Sequence, residues 1–511
     1  MAGAVKWLDR GLFALAVAMG AAQAWAQRYW TSADGISYLD LADAWRRGDW
    51  RAAVNASWRP LYPGLLSLSP AAPQWEIPAA HLVNYVAYLF ALASFRFLLG
   101  GIMRGGWPRW VWLGLGYTLF LWSTLRQTSL AVVSPDVLVA GLVYLAAGLL
   151  LRGSSAGALG AVLGLGYLTK SSLFPLAGVF LALAGSRRRM AVAAAAFVVV
   201  AGPWVAALSR SKGRLTFGDA ARLNWAWYLG GVRRFAHGQG GPHSPPQIHA
   251  DPAVYEFAEP ISGTYPLFYD PSYWYDGIQG EYQWSRHAQL LAANAKVYFS
   301  YLFLTHAHWL AGLLVVWWKG PGWRGVGKAV WDQKVLWIPA VAALGMYGAV
   351  HVETRYVGGF AALLWLALLG TARLPGRLLA GIGAVLLAVQ GLRVVKWSVE
   401  MARQERPGNE HWRIAEELGG RGVRPGDRVG AVGWFLGPAW ARLARVRIVA
   451  DVPEDEGARF WEATPPARAE AVRAFGRAGV RAIVAARASG DPETEGWRRL
   501  GATGRWIYVF R

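Results

Sequence analysis

Asp34-Gly35-Ile36-Ser37-Tyr38-Leu39-Asp40-Leu41-Ala42 follows directly on the first apolar segment, and Gly48-Asp49-Trp50 and Trp58-Arg59-Pro60-Leu61-Tyr62-Pro63 come after it. Its carboxylates Asp34 and Asp40 are six positions apart, which puts them on opposite edges of a short predicted helix. Arg59 is expected in extended backbone, because the residue before proline is pushed out of the helical region. The stretch is polar and aromatic in a chain that is otherwise largely apolar. An acid beside a bilayer is costly unless it is used or solvated, so a functional role is expected. The bland alternative is an interfacial loop whose acids only cap helices.

The surrounding chain has 511 residues, of which 55% are hydrophobic and only 16% charged, with 30 Trp. Long uncharged runs recur in it, so the expected fold class is an α-helical polytopic membrane protein. The net charge of +21 is mostly Arg and falls largely in short loops between apolar runs, where it would orient the protein in the membrane. A basic stripe with interleaved aromatics is missing from the soluble part, which argues against a nucleic-acid partner despite a pI near 10.3. With no cysteine, disulfides and thiolate metal sites are excluded. Ala24-Trp25-Ala26 is a weak match to a cleavage site, so the first segment is read as a retained span.

About eleven transmembrane helices are expected. The first, 7–27, is flanked by Lys6 and Arg10, which places the N-terminus inside and the loop 28–78 outside. Spans follow at 79–100, with Arg104 and Arg109 inside, at 111–124, and from Pro135-Asp136 to about Arg152. Two short apolar pieces, 156–168 and 173–184, read as a shallow hairpin with Lys170 at its tip. Arg187-Arg188-Arg189 marks the inner side before the span 190–208. The loop 209–294, rich in Trp, Tyr and His, is too aromatic for a disordered linker and is read as a folded outer segment with short helices. Further spans are placed at 297–318, 335–350, 356–372 and 378–395. The division is thus a membrane module over 1–399, with outer loops 28–78 and 209–294, and a soluble domain over 400–511 on the outer side. Strand-like runs at 428–432, 446–450, 482–485 and 506–510 alternate with helical segments there and predict a small α/β unit with a mostly parallel sheet.

With this topology Asp34, Asp136, Lys170 and Arg355 meet at one depth, at the outer boundary of the membrane. An acid there can accept the proton of an attacking hydroxyl, and cations can hold a phosphate that leaves as an anion. The competing expectation is a structural network in which the charges only make one another's burial tolerable. His237, His243, His249 and His287 match no tight metal-ligand spacing; no cofactor is called for, and a divalent metal stays open. Asn55-Ala56-Ser57 fits a glycosylation acceptor and is given no weight.

These motifs, in this order, resemble the GT-C glycosyltransferases, in the branch of the aminoarabinose transferases and protein O-mannosyltransferases. In that branch the first outer loop reads roughly Asp-Glu-x-x-Tyr-x-x-x-Ala, then Gly-Asp-Trp, then Lys-Pro-Pro-Leu, with spacing kept here. Gly164-Leu165-Gly166-Tyr167-Leu168-Thr169-Lys170 and Arg355-Tyr356 match two further family stretches, and the resemblance spans about residues 7–396. It departs where Gly35 replaces the second acid and Arg59 replaces a Lys, which keeps the charge but changes its geometry.

The resemblance implies transfer of a monosaccharide from a polyprenyl-phosphate donor to a lipid, glycan or protein acceptor, outside a bacterial inner membrane and with inversion. Asp34 would be the base or orient the acceptor, and Asp136 would assist. Arg59, Lys170 and Arg355 would hold the donor phosphate, and Tyr38, Tyr62 and Tyr356 would line the cavity. Two other readings are weighed against it. A transporter or flippase would show matching broken spans in two halves, whereas one broken pair is visible, around Lys170. A membrane scaffold that docks a partner through its tail would leave the four polar groups scattered.

Overall fold

The computed structural model describes residues 2–103, 107–234, 237–257, 263–319, 322–372, 374–403, 409–434, 437–488 and 492–510. Arg104, expected on the inner side, lies outside the described residues. The helices that place the site are α1 (Ala2–Ala26), α2 (Ala33–Arg46), α3 (Pro73–Ile102), α4 (Asp136–Leu151), α5 (Ala156–Thr169), α6 (Leu173–Ala182), α7 (Arg187–Lys212), α8 (Lys334–Gly348), α9 (Thr354–Leu369) and α10 (Gly376–Arg403).

Among the described residues three helices are long and apolar enough to cross a membrane, namely α3, α7 and α10. A fourth crossing exists if Trp284–Leu304 and Ala307–Lys319, bent by 65° at their junction, form one span. Five more apolar helices, α4, α5, α6, α8 and α9, have 10 to 16 residues each. Such helices are ~15–25 Å long, short of a hydrocarbon core of ~30 Å. By length and composition together, the described helices account for three or four of the eleven expected crossings. The shortfall has a local cause. Asp136 starts α4, Lys170 separates α5 from α6, and the stretch 349–353 separates α8 from α9, so these helices break where polar side chains gather.

Close packing brings the short helices together. A Cβ on Gly160 of α5 would fall 1.9 Å from the Ala193 carbonyl oxygen of α7, and one on Gly164 would fall 2.7 Å from Val200 Cβ. This small-xxx-small spacing lets two helix backbones approach where lipid supplies no hydrophobic drive. Helix α1 is tied in by Asp9, which pairs with Arg96 of α3 at 2.5 Å and accepts from the Tyr117 hydroxyl at 2.9 Å.

The tail forms a seven-stranded sheet, but not alone. Strands β1 (Gln247–Ala250) and β2 (Ala253–Glu256) come from the aromatic loop. Strands β3 (Arg428–Val432), β4 (Arg447–Val452), β5 (Ala482–Ala485), β6 (Arg498–Arg499) and β7 (Trp506–Val509) come from the tail. The order is β1-β2-β4-β3-β5-β7-β6. Among the described residues only β4-β3-β5 pair in parallel, and both flanks are antiparallel. The expected mostly parallel sheet is thus mixed. The loop hairpin pairs β2 with β4, setting Tyr255 opposite Asp451. The junction is sealed by the Tyr265 hydroxyl, which donates to Asp451 at 2.6 Å, and by His237, whose Nε2 lies 3.0 Å from the same carboxylate.

Candidate active site

Helix α2 begins at a Ser32 cap, whose side chain accepts from the Gly35 amide. This sets Asp34 in the first turn, at the wall of a cavity of about 390 Å³. Asp34, Tyr38, Arg59, Lys170 and Tyr356 all line it. Asp34 Oδ2 accepts from Arg355 Nη2 at 2.8 Å, which joins the first polar loop to the start of α9. Arg355 Nη1 lies 3.5 Å from Asp136 Oδ2, and Lys170 Nζ donates to Asp136 Oδ1 at 2.5 Å. The four groups expected to converge therefore do so, through a chain of ion pairs. Asp136 and Arg355 stand behind the lining, where Asp136 is 4% exposed. Lys170 sits over the Tyr356 ring, 3.6 Å from its centroid.

Two placements depart from expectation. Tyr62 lies one layer back, fully buried, donating to Asn84 Oδ1 at 2.5 Å and packing edge-on against Tyr38. The short helix Leu61–Ser67 turns its ring away from the cavity and toward α3. Glu353, given no role from the sequence, accepts from Arg355 Nε at 2.5 Å and lies 3.2 Å from His351 Nε2. Burial works to raise its carboxyl, but the His351 ring and the Arg355 guanidinium outweigh this and hold it at about 2. Its place two residues before Arg355, at the entry to α9, was the available signal. Asp34, Asp136 and Glu353 thus surround Arg355 and Lys170, so those cations are already compensated.

Arg59 differs from them. It is 2% exposed, and Nη2 donates to the Phe217 carbonyl at 2.7 Å. Its Nε and Nη1 have no hydrogen-bond partner among the described residues. The nearby Asp219 is engaged by Arg214 at 2.6 Å and Lys212 at 3.7 Å. Burial pushes the Arg59 guanidinium below its ordinary range. A buried cation with unspent donors, in a cavity wall, suits an anionic ligand group. Gly218 makes room for it: its φ is +109°, and a Cβ there would fall 1.8 Å from Arg59 Nη2.

No protein-family model matches the sequence, and no curated protein matches it. Solved structures do match. ArnT from Cupriavidus metallidurans in the apo state superposes with a TM-score of 0.54 at 12% identity, covering 93% of this chain and 92% of that one. The same enzyme bound to undecaprenyl phosphate gives 0.50 at 13% identity, with 97% of each chain covered. The apo Archaeoglobus fulgidus oligosaccharyltransferase gives 0.51 at 12% identity, covering 93% of this chain and 69% of that one. At 12–13% identity the likeness is one of fold, and it is the fold expected from the order of the motifs. The chain has the GT-C fold.

Within this GT-C architecture the remaining sequence candidates are accounted for locally. His237 faces Asp451, His243 stacks on Tyr273, His249 bonds the Pro252 carbonyl and His287 meets Tyr282. Among the described residues no three His, Asp or Glu side chains are grouped to hold a metal. Asn55 is buried: its Nδ2 donates to the Tyr269 carbonyl, and its Oδ1 accepts from the Ser57 and Trp58 amides. The tripeptide is therefore a turn device that presents Arg59.

Proposed function

We propose that this protein is an integral membrane glycosyltransferase. It moves a monosaccharide from a polyprenyl-phosphate donor to a lipid, glycan or protein acceptor on the outer side of a bacterial inner membrane. The observation that carries the reading is a single cavity with an oriented acid, Asp34, and a buried cation with unspent donors, Arg59. The likeness of fold to an enzyme solved with undecaprenyl phosphate supports the donor class.

In this mechanism Arg59 binds the donor phosphate, with Lys170 lending charge from the same cavity. Asp34, oriented by Arg355, takes the proton of the acceptor hydroxyl as its oxygen attacks the sugar C1. The bond from C1 to the phosphate oxygen breaks on the opposite face, and polyprenyl phosphate leaves as an anion stabilised by the cations. The configuration at C1 inverts. Asp136 holds Lys170 and Arg355 in register, and Tyr38 and Tyr356 supply apolar wall against the sugar.

The test is transfer from a panel of polyprenyl-phosphate sugars by purified protein in lipid nanodiscs. Asp34→Asn is expected to lower the rate by ~10²–10⁴-fold with the protein still folded. Arg59→Met is expected to weaken undecaprenyl phosphate binding by ~10–100-fold, since a charged hydrogen bond contributes ~1.5–3 kcal/mol. An active Asp34→Asn protein, or unchanged lipid-phosphate affinity in Arg59→Met, would overturn these roles.

A further inference from the structure

Helix α2 carries Asp34 at one end and a second set of acids at the other. Asp40 is buried, and its two oxygens accept from the Thr264 amide at 2.7 Å and hydroxyl at 2.8 Å. It also pairs with Arg442 Nη1 at 2.6 Å. Arg442, 4% exposed, lies on the short helix α11 (Ala439–Leu443) of the tail domain. Its guanidinium reaches Asp43 at 2.6 Å and grips Glu76 of α3 through Nε at 2.9 Å and through Nη2. Arg445 and Arg46 add contacts to Asp43 at 3.5 and 2.7 Å. Arg46, Arg442 and Arg445 thus balance Asp40, Asp43 and Glu76 at the junction of α2, α3 and the tail domain.

We propose that Arg442 is a positioning residue for Asp34: the tail domain sets the acid in the cavity by clamping the far end of α2. The reading rests on the glycosyltransferase assignment for its consequence in catalysis, not for its geometry. Asp34 and Asp40 are six residues apart on one helix, ~9 Å along its axis. A shift at Asp40 is carried to Asp34 almost undiminished, because a helical turn is stiff. Burial pushes the Asp40 carboxyl up, and Arg442 is the strongest influence against this. Without Arg442 the acid would take up a proton or seek water, and α2 would move. A bare cap over the membrane module would not need its arginine to meet acids on α2 and α3 together.

The chain has no cysteine, so Asp34→Cys puts a unique thiol at the cavity wall. Its reaction with a small water-soluble maleimide is followed against pH, on full-length protein in nanodiscs. With α2 in place, Arg355 and Lys170 favour the thiolate and keep its midpoint below ~8.5. Added Arg442→Met is expected to slow the reaction at neutral pH at least ~5-fold and to move the profile upward. Arg442→Lys should restore part of the rate. Thr264→Val, which removes one bond to Asp40 and spares the ion pairs, should shift the profile the same way by less. Arg505→Met, which breaks the Arg505–Glu410 pair elsewhere in the tail domain, should change nothing. Should Arg442→Met not fold, Arg442→Lys and Thr264→Val decide.

An unmoved profile in the Arg442 and Thr264 variants, or an equal shift from Arg505→Met, overturns the clamp. Undecaprenyl phosphate binding is read in parallel in the protein that retains Asp34. Its absence there overturns the donor reading, while the thiol profile of the Asp34→Cys protein still decides the clamp.

Discussion

At the scale of single residues, Arg59 keeps two donors unpartnered among the described residues, and its neighbours explain why it stays available. Phe217 takes one N–H through its carbonyl, and Gly218 leaves the space the guanidinium fills. Gly218→Ala would place a methyl on the guanidinium and strain a left-handed backbone, at a cost of ~1–3 kcal/mol. Titration with undecaprenyl phosphate should show Gly218→Ala losing affinity about as Arg59→Met does; native affinity would separate Gly218 from the anion site. Residue types and order in the sequence were enough to nominate Asp34, Asp136, Lys170 and Arg355. They were not enough to show that Glu353 engages Arg355 or that Tyr62 turns away, because both depend on which face a short helix presents.

At the scale of elements, the entry to α9 concentrates the charge that holds the site. Glu353 grips Arg355 there, and its carboxyl falls from 4.5 to about 2. The sign follows from linkage: a depressed carboxyl stabilises the fold above its unfolded value, and that contribution is lost as pH falls through the folded value. The wild-type protein should therefore hold a thermal-stability advantage over Glu353→Gln at neutral pH. The advantage should shrink as pH falls from about 4.5 toward about 2. Melting curves of both proteins across that range check it, and a constant gap would remove Glu353 from the network. The breaks around Lys170 and before Arg355 could be read in the sequence, since short apolar pieces flank polar ones. The loop strands β1 and β2 could not, because four-residue runs carry too little periodicity and acquire their partner from the tail.

At the scale of the whole molecule, the tail beyond residue 400 does not build its sheet alone. The sheet takes two strands from before that point, and Arg442 meets acids of α2 and α3. Removing residues 400–511 would strip β2 of β4 and leave Asp40, Asp43 and Glu76 without Arg442. A buried acid stripped of its cation costs ~3–5 kcal/mol. The truncated chain should elute as aggregate in detergent, whereas the full chain elutes as a single species; a monodisperse truncation product would show that the membrane part stands alone.

The mixed sheet also bears on how the protein is born. Strand β2 ends at Glu256, and its partner β4 begins at Arg447. At ~5–20 residues per second, a ribosome needs roughly 10–40 s to bridge that interval. Throughout it the hairpin has no mate and α2 has no latch. On the proposed reading, the cavity of a nascent chain is therefore set only once the tail domain has been made and has docked on α2.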